Sequence, residues 1–460
     1  MRPIGLFFLS LFLWTSCQQG EQPDTHRIVT VDPGHFHASL LQKSMLAGVD
    51  SICYVYAPSQ EEAAAHLALL EGYNSREENP TNWAPEVYTG SDFFQQMLSD
   101  RPGDIVVLAG NNRLKTNYIF DAVDAGLSVL ADKPMAINAE GFRQLEQAFA
   151  QAEDKGVLLY DIMTERYNVF SILQKAMIHE PLIFGQLEKG SPSDPAVIKT
   201  SLHHFYKEVS GSPLRRPAWY YDVEQEGEGL VDVTTHAIDL VQWQIFPETV
   251  FDYEKDVEML RAERWPTYVS LSEFFQSTGE TEVPAYLGKD QQGDTLKVFA
   301  NGNMVFNLKG VHAKISVAWN FQAAAGSGDT HISQIKGSRS TISIRQGQAE
   351  GFKPTLYIEP THEERFTDAE LDDIQKGVLR LESKYKGITL EKSGNGFKLG
   401  VPEALIQDHE AHFSQVANRF LEYLDAGEMP AWEKSYMLTK YFITSEAAKM
   451  AGTLPGPPVH

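Results

Sequence analysis

The sequence predicts an α/β chain with two different sheets: a doubly wound parallel sheet, then an α+β domain on an open-faced, mainly antiparallel sheet. Two patterns along the chain lead to this prediction. From Arg27 to about Asp161, short β-branched runs alternate with helical patterns, as in βαβ units. After about Thr164, the strand-like segments become longer and alternate between apolar and polar residues. A chain of 460 residues suits two or three domains, and we expect one over 27–163 and another over 164–460.

The elements of the first domain follow from apolar runs and helical periodicity. Its strands are continuous apolar runs, as expected where a parallel sheet is covered on both faces. Ligands of such sheets bind beyond the carboxyl ends of the strands, so residues that directly follow strands are the first candidates for a site. Strands are predicted at 28–31, 52–56, 105–109, 128–131 and 157–160, and helices at about 38–47, 61–70, 115–125 and 139–155.

The second domain is predicted from longer alternating segments, in which one face of the sheet is apolar. One helix interrupts the strands, and two more near the end of the chain are expected to pack back on the body. The charged stretch 366–400 has no clear assignment. Strands are predicted at 196–205, 295–308, 312–322, 331–336, 340–345 and 356–358, and helices at about 231–244, 408–425 and 432–451.

Composition and charge exclude several classes of protein. The hydrophobic share of 42% and charged share of 22% are those of a globular chain, and they exclude wholesale disorder and a polytopic membrane protein. The chain has 39 Lys and Arg against 62 Asp and Glu, a net charge of −23. General nucleic-acid binders neutralise phosphates with Lys and Arg, so we expect no nucleic-acid partner.

The first residues form a targeting segment. Arg2 precedes the apolar run 4–14, which is too short for a comfortable transmembrane helix and has signal-peptide length. Small residues then precede Cys17, as at a bacterial lipoprotein cleavage site. We therefore expect a signal peptide over 1–17, lipidation of Cys17, a tether over 18–26, and an exported protein anchored to the membrane and facing the periplasm or the cell surface. Plain secretion is the alternative.

The turn after the first strand is where a dinucleotide's phosphates would bind. Set against G-x-G-x-x-G, the segment 32–37 keeps the middle glycine, Gly34, which lets the backbone approach a pyrophosphate closely. Asp32 and His37 take the outer positions. His35 and Phe36 are further candidate cofactor contacts. The second strand ends without the Asp or Glu that usually holds the ribose of NAD, so this turn leaves dinucleotide binding open.

Two later segments carry a family resemblance. Residues 125–135 read AGLSVLADKPM, and 227–240 read GEGLVDVTTHAIDL, followed by Trp243. They resemble the "aGkhVlcEKPl" and "GGGxLxDxGxHxxDL" segments of the Gfo/Idh/MocA oxidoreductases, with Asp132 where that family usually has Glu. The resemblance covers 27 to about 245 and implies a Rossmann-like dinucleotide-binding domain, a bound NAD or NADP, and a substrate site between the two domains.

The resemblance points to three catalytic residues. Lys133 follows a buried strand, so it emerges at the edge of the sheet where a ligand lies, and Pro134 holds it in an extended conformation. Asp232 and His236 are four apart on a predicted helix and project from one face. An imidazole near a carboxylate suits a general base. By resemblance, His236 takes a hydroxyl proton, Lys133 stabilises the alkoxide, and Asp232 orients His236 or holds a neighbouring hydroxyl.

Further candidate residues surround these three. Trp219 and Tyr220 could form an aromatic wall for a sugar ring, and Asp239 lies one helical turn beyond His236. We expect no metal site. The expected cofactor contacts are Gly34, His35, Phe36, Ala109, Asn111, Asp132 and Lys133.

The expected function is a dinucleotide-dependent oxidoreductase acting on a hydroxyl of a carbohydrate or polyol. Free NAD is expected to be scarce outside the cytoplasm, so an exported member needs a tightly held cofactor. Two alternatives stay open: a redox-neutral, NAD-dependent glycosidase or lyase, and a non-catalytic carbohydrate-binding lipoprotein that lost its cofactor. A sugar or glycan is the expected ligand, and the open sheet face allows a homo-oligomer.

Overall fold

A computed structural model describes residues 25–209 and 212–453 of the chain. The predicted signal peptide, Cys17 and positions 18–24 of the predicted tether lie outside the described residues. None of the helices in the described ranges combines the length and the hydropathy of a membrane span.

The first sheet is parallel throughout and has the strand order β3-β2-β1-β4-β5-β6, which is that of a Rossmann fold. The predicted parallel domain is confirmed. The strands β1, β4, β5 and β6 are buried along their whole length, because helices cover both faces. The strands are β1 Ile28–Val31, β2 Ile52–Ala57, β3 Ala84–Thr89, β4 Ile105–Leu108, β5 Ser128–Asp132 and β6 Leu159–Ile162. The helices are α1 His37–Leu40, α2 Gln60–Ser75, α3 Phe93–Asp100, α4 Lys115–Asp124 and α5 Ala139–Lys155.

Two parts of this domain differ from the prediction. The helix expected over 38–47 is the single turn α1, because the chain leaves the helix after Leu41 and turns towards Gly48. The strand β3 and the helix α3 were not predicted. β3 is an edge strand whose first four residues are exposed, so it lacks the continuous apolar run that marks its neighbours.

The second sheet has ten strands and is mainly antiparallel, as predicted. Its order is β10-β12-β13-β7-β14-β15-β16-β18-β17, with β11 paired to β12, and β7 runs parallel to β13. A separate two-stranded sheet joins β8 to β9. The strands are β7 Val197–Tyr206, β8 Glu208–Val209, β9 Ser212–Pro213, β10 Val257–Ser270, β11 Gln291–Gln292, β12 Thr295–Leu308, β13 Val311–Gln322, β14 Thr330–Lys336, β15 Ser340–Gln346, β16 Thr355–Pro360, β17 Thr389–Ser393 and β18 Gly396–Gly400. The helices are α6 Val169–Ile178, α7 Pro181–Phe184, α8 Thr234–Ile245, α9 Tyr253–Asp256, α10 Leu271–Thr278, α11 Asp368–Glu382, α12 His409–Ala426 and α13 Ala431–Thr453.

The sequence analysis missed the long edge strand β10 and left 366–400 unassigned. β10 is mostly half-buried, and its pairing with β12 shifts register between Trp265 and Thr267, around Pro266. The unassigned stretch forms α11, β17 and β18. A capping box between Thr367 and Glu370 begins α11.

The last two helices connect the two sheets. Phe413 and Phe420 of α12, and Tyr441 of α13, belong to the hydrophobic core of the parallel sheet. Tyr436 and Ile443, also on α13, belong to the core of the second sheet. Because one rigid helix contributes to both cores, α13 fixes the position of the second sheet relative to the carboxyl ends of the parallel strands.

Candidate active site

A cavity of about 340 Å³ lies beyond the carboxyl ends of β4 and β5, next to the point where the strand order reverses. We call it the central cavity. The first domain contributes Asp132 and Lys133 to its lining, and the second contributes Asp232 and His236. The structure therefore brings together the three residues that sequence reasoning chose as catalytic.

Lys133 forms an ion pair with Asp232. Lys133 Nζ lies 2.5 Å from Asp232 Oδ1, and both side chains are largely buried. Burial alone would lower the pKa of Lys133, because it disfavours the charged ammonium. The negative charges of Asp232 and Asp132 outweigh this effect and raise the pKa. The ammonium is thus kept charged at the wall of the cavity.

His236 lies on the first turn of α8, and no hydrogen bond joins it to Asp232 in the described residues. Of the two roles predicted for Asp232, the structure therefore does not support the orientation of His236, and the holding of a neighbouring hydroxyl stays a prediction. The helix begins at Thr234, so Asp232 precedes it and does not share its helical face. The buried Nδ1 of His236 has no hydrogen-bond partner. Burial, and then the charge of Lys133, hold the pKa of His236 well below its ordinary value. At neutral pH the imidazole is neutral and can accept a proton.

Glu226 also lines the central cavity, and the sequence analysis missed it. Asn112 Nδ2 donates to the main-chain oxygen of Glu226 at 2.8 Å and to its Oε2 at 3.1 Å. Burial and the neighbouring Asp232 raise the pKa of Glu226 well above its usual range. The sequence clue that Glu226 belongs to the site is its position directly before Gly227, the first residue of the second family segment. Asn111 Nδ2 donates to Gln225 Oε1 at 2.7 Å. Hydrogen bonds from two successive asparagines, Asn111 and Asn112, therefore hold the loop after β4 against the second domain.

The glycines that follow Glu226 serve packing and not ligand approach. A Cβ on Gly229 would lie 2.0 Å from the main-chain oxygen of Ala300 on β12. Gly227 has a φ of +103°, which an L side chain rarely adopts. These positions let the segment before α8 run close against the second sheet, and this placement brings Asp232 to Lys133.

In the turn after β1, main-chain amides donate hydrogen bonds to other main-chain groups of the protein. Gly34 N donates to Asp32 O at 2.8 Å, and His35 N donates to Ala109 O at 3.0 Å. Ala109 is fully buried, so its role is to hold this turn by its carbonyl, and the prediction that it contacts the cofactor is corrected. A Cβ on Gly110 would lie 2.0 Å from Asp32 O, so this close approach requires glycine.

Aromatic side chains form one wall of the central cavity. Tyr220 is buried there, with the guanidinium of Arg216 stacked 4.4 Å from its ring centre. Trp319 lies across from Tyr220 at 6.0 Å, and the ring of His203 lies 5.0 Å from Trp319. Tyr220 was predicted here. Arg216, Trp319 and His203 come from segments that carry no family motif.

Asp239 does not line the cavity, and its predicted substrate-binding role is corrected. Both of its carboxylate oxygens accept hydrogen bonds from Arg166 at 2.7 Å, and Lys440 adds a third contact at 3.1 Å. Arg166 also pairs with Glu433 at 2.7 Å. Asp239 is 1% exposed. It belongs to a buried ion network that ties α8 to α13.

His35, His37 and Asp132 lie together on the first-domain side of the cavity. His37 Nδ1 is 2.9 Å from Asp132 Oδ2, and His35 Nδ1 is 3.8 Å from the same oxygen. Burial lowers the pKa of His35 well below its ordinary value. Phe36, between the two histidines, also lines the cavity.

Two family models match the chain, one in each domain. Residues 33–160 match "Oxidoreductase family, NAD-binding Rossmann fold", the Gfo/Idh/MocA model, and residues 173–452 match "Putative oxidoreductase C terminal domain". The chain belongs to the Gfo/Idh/MocA oxidoreductase family. The expected family resemblance, which covers 27 to about 245, is thereby confirmed, and the second model extends the match to residue 452.

Solved structures and a curated relative agree with this assignment. A protein of Parabacteroides merdae, described as a "putative oxidoreductase", is 45% identical, with a TM-score of 0.91 over 94% of this chain and 98% of that chain. KijD10, a 3-ketoreductase from Actinomadura kijaniata, shares the fold at 13% identity and a TM-score of 0.55, over 93% and 98% of the two chains. The Bacillus subtilis protein named "Putative oxidoreductase YteT" is 25% identical over 164 residues, and the match spans 35% of each chain.

This Gfo/Idh/MocA member carries an NAD-binding Rossmann domain, and its cavities fit a dinucleotide. A second cavity of about 650 Å³, the nucleotide-side cavity, is lined by Gly34, Asn111, Arg113 and Trp219. Trp219 lines both cavities and packs over Gly34, where a Cβ would be 3.6 Å from its ring. Two cavities that share Trp219 in their linings beside the switch point suit the two halves of a dinucleotide.

The nucleotide-side cavity also supplies groups that the turn after β1 lacks. In many Rossmann domains the main-chain amides of this turn bind the pyrophosphate, but here the amides of Gly34 and His35 are bonded within the protein. Arg113 lines the cavity and offers a positive charge to a pyrophosphate instead. Glu62, on the first turn of α2, lines the same cavity and offers the carboxylate that β2 does not carry at its end. The sequence analysis missed both residues.

Proposed function

We propose that this chain is an NAD(P)-dependent oxidoreductase that interconverts a secondary hydroxyl and a ketone on a carbohydrate bound in the central cavity. The observation that carries the proposal is the convergence of a charged Lys133, paired to Asp232, and a neutral His236 on one cavity at the nucleotide-binding edge of the sheet.

The side chains divide the work of this reaction. His236 takes the proton from the substrate hydroxyl because its imidazole is neutral and buried beside the cavity. Lys133 donates a hydrogen bond to the same oxygen and stabilises the developing alkoxide, while Asp232 keeps Lys133 charged and in place. NAD or NADP, when bound, supplies the hydride acceptor. In the reverse direction, His236 returns the proton to the oxygen.

The chemistry of the cavity wall supports a carbohydrate. Tyr220 and Trp319 offer flat apolar faces, and Glu226 and Glu165 offer oxygens to hydroxyl groups. Fold neighbours include KijD10, a 3-ketoreductase solved with TDP-benzene and NADP, and GenD2 from gentamicin A biosynthesis, solved with NAD. We take these as support for the class of substrate.

The first experiment denatures the purified protein and identifies any released nicotinamide dinucleotide by mass spectrometry. Protein stripped of nucleotide is then titrated with NAD and NADP. We expect one dinucleotide per chain, retained or rebound. Failure to retain or bind either one would overturn the proposal and favour the non-catalytic carbohydrate-binding protein. Turnover is then measured with a panel of sugars and glycosides, following nicotinamide absorbance.

A second candidate function is a redox-neutral glycosidase or lyase, and Glu226 favours it. Burial and the charge of Asp232 raise the pKa of Glu226 well above its usual range, which favours the protonated acid in the same cavity, where it can donate a proton to a leaving group. In that reaction the dinucleotide ends each turnover in its starting redox state. Release of an aglycone with no net change in nicotinamide absorbance would select this candidate, and Glu226→Gln would abolish the release.

We also propose that the chain is exported and anchored through a lipid on Cys17, as the first residues of the sequence indicate. Cells grown with labelled palmitate test this. The full chain should carry label and sediment with membranes, and Cys17→Ala should lose the label. An unlabelled wild-type chain would contradict the proposal.

A further inference from the structure

We propose that His35, His37 and Asp132 form a binding site for a divalent transition-metal ion at the wall of the central cavity. One ligand atom from each of the three side chains lies within 4.8 Å of the other two. This site is separate from the proposed proton transfer by His236, and neither inference depends on the other.

The fold brings the three ligands together from the carboxyl ends of β1 and β5, two strands of the parallel sheet that lie on either side of β4. His35 and His37 lie at and just before the start of α1, directly after β1, and Asp132 is the last residue of β5. Two ligands bound about 2.1 Å from a tetrahedral metal lie about 3.4 Å apart. The His37–Asp132 and His35–Asp132 distances, 2.9 and 3.8 Å, fall on either side of that value. Small rotations of the side chains are enough to close the site around an ion.

The buried carboxylate of Asp132 has no Lys or Arg in direct contact among the described residues, although Lys115 and Lys133 act on it from a greater distance. The ammonium of Lys133 is taken by Asp232 at 2.5 Å, and Lys115 donates to the main-chain oxygen of Asp132 at 3.1 Å. Imidazole nitrogens are therefore the groups that face the Asp132 side chain.

A second cluster in the same chain shows the contrast. His203 and His204 approach Asp329 at 3.7 and 2.8 Å, which resembles the approach of His35 and His37 to Asp132. There, however, the ammonium of Lys207 lies 2.9 Å from the carboxylate and provides its counter-charge. At Asp132 the groups within ion-pair distance are imidazoles and not an ammonium, so a bound metal ion would be the cation in direct contact with the carboxylate.

The ligand set determines the class of ion. Two imidazoles and one carboxylate suit Zn²⁺, Co²⁺, Fe²⁺ or Mn²⁺, whereas Ca²⁺ and Mg²⁺ prefer oxygen ligands. Three protein ligands leave at least one coordination position open, as in catalytic metal sites. Because all three residues line the central cavity, an ion bound to them would lie at the wall of the space proposed for the substrate.

The test is a titration of untagged, chelator-treated protein with Co²⁺, followed by visible absorption and equilibrium dialysis. We expect one Co²⁺ per chain, displaced by Zn²⁺, with the absorption of a nitrogen- and oxygen-ligated ion. His37→Ala and the isosteric Asp132→Asn should each weaken binding at least tenfold.

The control is His362→Ala, which removes an imidazole paired to Glu188 at the same 2.9 Å on the protein surface. It should bind Co²⁺ as the wild type does. Circular dichroism melts without metal show whether each variant is folded. The proposal is overturned if the folded wild type binds no Co²⁺, or if folded Asp132→Asn binds it with unchanged affinity. NAD or NADP occupancy is measured in the same samples, so loss of the metal site and loss of dinucleotide binding are distinguished.

Discussion

Lys133 and Asp232 are separated by 99 positions in the sequence, yet their side chains meet at 2.5 Å. One follows a strand of the parallel sheet, and the other lies two residues before α8, whose buried residues belong to the core of the second sheet. This pair spans the interface between the two domains and sets the charge of the cavity between them.

Replacing Lys133 by Met should abolish most turnover and also lower the melting temperature, because it leaves the buried Asp232 without its partner. The variant keeps the length of the side chain and removes the ammonium that stabilises the alkoxide. Loss of one such donor typically lowers kcat by about 10²–10³. Steady-state kinetics and a thermal melt measure the two effects. Lys297→Met, on the second sheet and outside the cavity lining, is the matched control and should retain wild-type kcat.

The pH dependence of catalysis should follow His236. Burial lowers the pKa of this imidazole, so its basic form persists as the pH falls through the ordinary range for histidine. We expect kcat/KM for hydroxyl oxidation to stay level from pH 8 to about 6 and to fall only in more acidic buffer. A profile with its acid limb at or above the ordinary histidine pKa would contradict this. In His236→Asn, that limb should disappear together with most of the activity.

Asp239→Asn should destabilise the protein strongly. The substitution leaves Arg166 and Lys440 buried without their shared carboxylate, a change that costs about 3–5 kcal/mol. Urea unfolding measures the free energy. The control Asp372→Asn breaks an exposed pair with Lys376 and should change stability by no more than about 0.5 kcal/mol.

The same network predicts a loss of stability in acid. Burial alone would raise the pKa of Asp239, but Arg166 and Lys440 outweigh it and hold that pKa well below its usual range. A carboxyl with a lowered pKa contributes stability above its unfolded value, about 3.9, and loses it as the pH falls towards the folded value. The wild type should therefore lose more stability than Asp239→Asn between pH 5 and 3. Equal losses would show that Asp239 does not titrate in this way.

Trp219→Ala should weaken retention of the dinucleotide. The indole packs over Gly34 and lines both cavities, so its removal opens the passage between them. We expect a lower fraction of chains that purify with nucleotide and a faster release on dilution, followed by nicotinamide fluorescence. Trp219→Phe, which keeps an aromatic ring at this place, should lie between the wild type and the alanine variant. Unchanged release from Trp219→Ala would exclude this covering role.

Gly110→Ala should disturb the turn after β1. The Cβ of the new alanine would lie 2.0 Å from the main-chain oxygen of Asp32, so the loops after β1 and β4 must move apart. We expect the free energy of unfolding to fall by about 1–3 kcal/mol and nucleotide binding to be lost. Gly72→Ala, on α2 with open space around the new methyl group, should instead stabilise the chain by about 0.5–1 kcal/mol. Urea unfolding of both variants checks the contrast.

The parallel sheet, and the position of Lys133 at its edge, could be predicted because both depend on short stretches of neighbouring residues. Buried parallel strands are continuous apolar runs, and a polar residue that follows such a strand must emerge at the ligand-binding edge. The edge strands β3 and β10 escaped prediction because exposed or half-buried strands carry interspersed polar residues. Their place in a sheet depends on partners far away in the chain.

The relationships between charged side chains were harder to predict. Asp232 and His236 stand four apart in sequence, but α8 begins between them, and the partner of Asp232 is Lys133. Asp239 was predicted to bind the substrate. The sequence gives no sign of its partners, because Arg166 and Lys440, which neutralise its charge, lie 73 and 201 positions away. Pairings of this kind require the tertiary structure.

The most direct test of the account is a single turnover with a sugar substrate, using nucleotide-loaded wild type, Lys133→Met and His236→Asn. The account predicts that the wild type changes its nicotinamide absorbance within one turnover and that both variants, with the nucleotide still bound, do not. Wild-type rates in either loaded variant would show that the central cavity is not where the oxidation occurs.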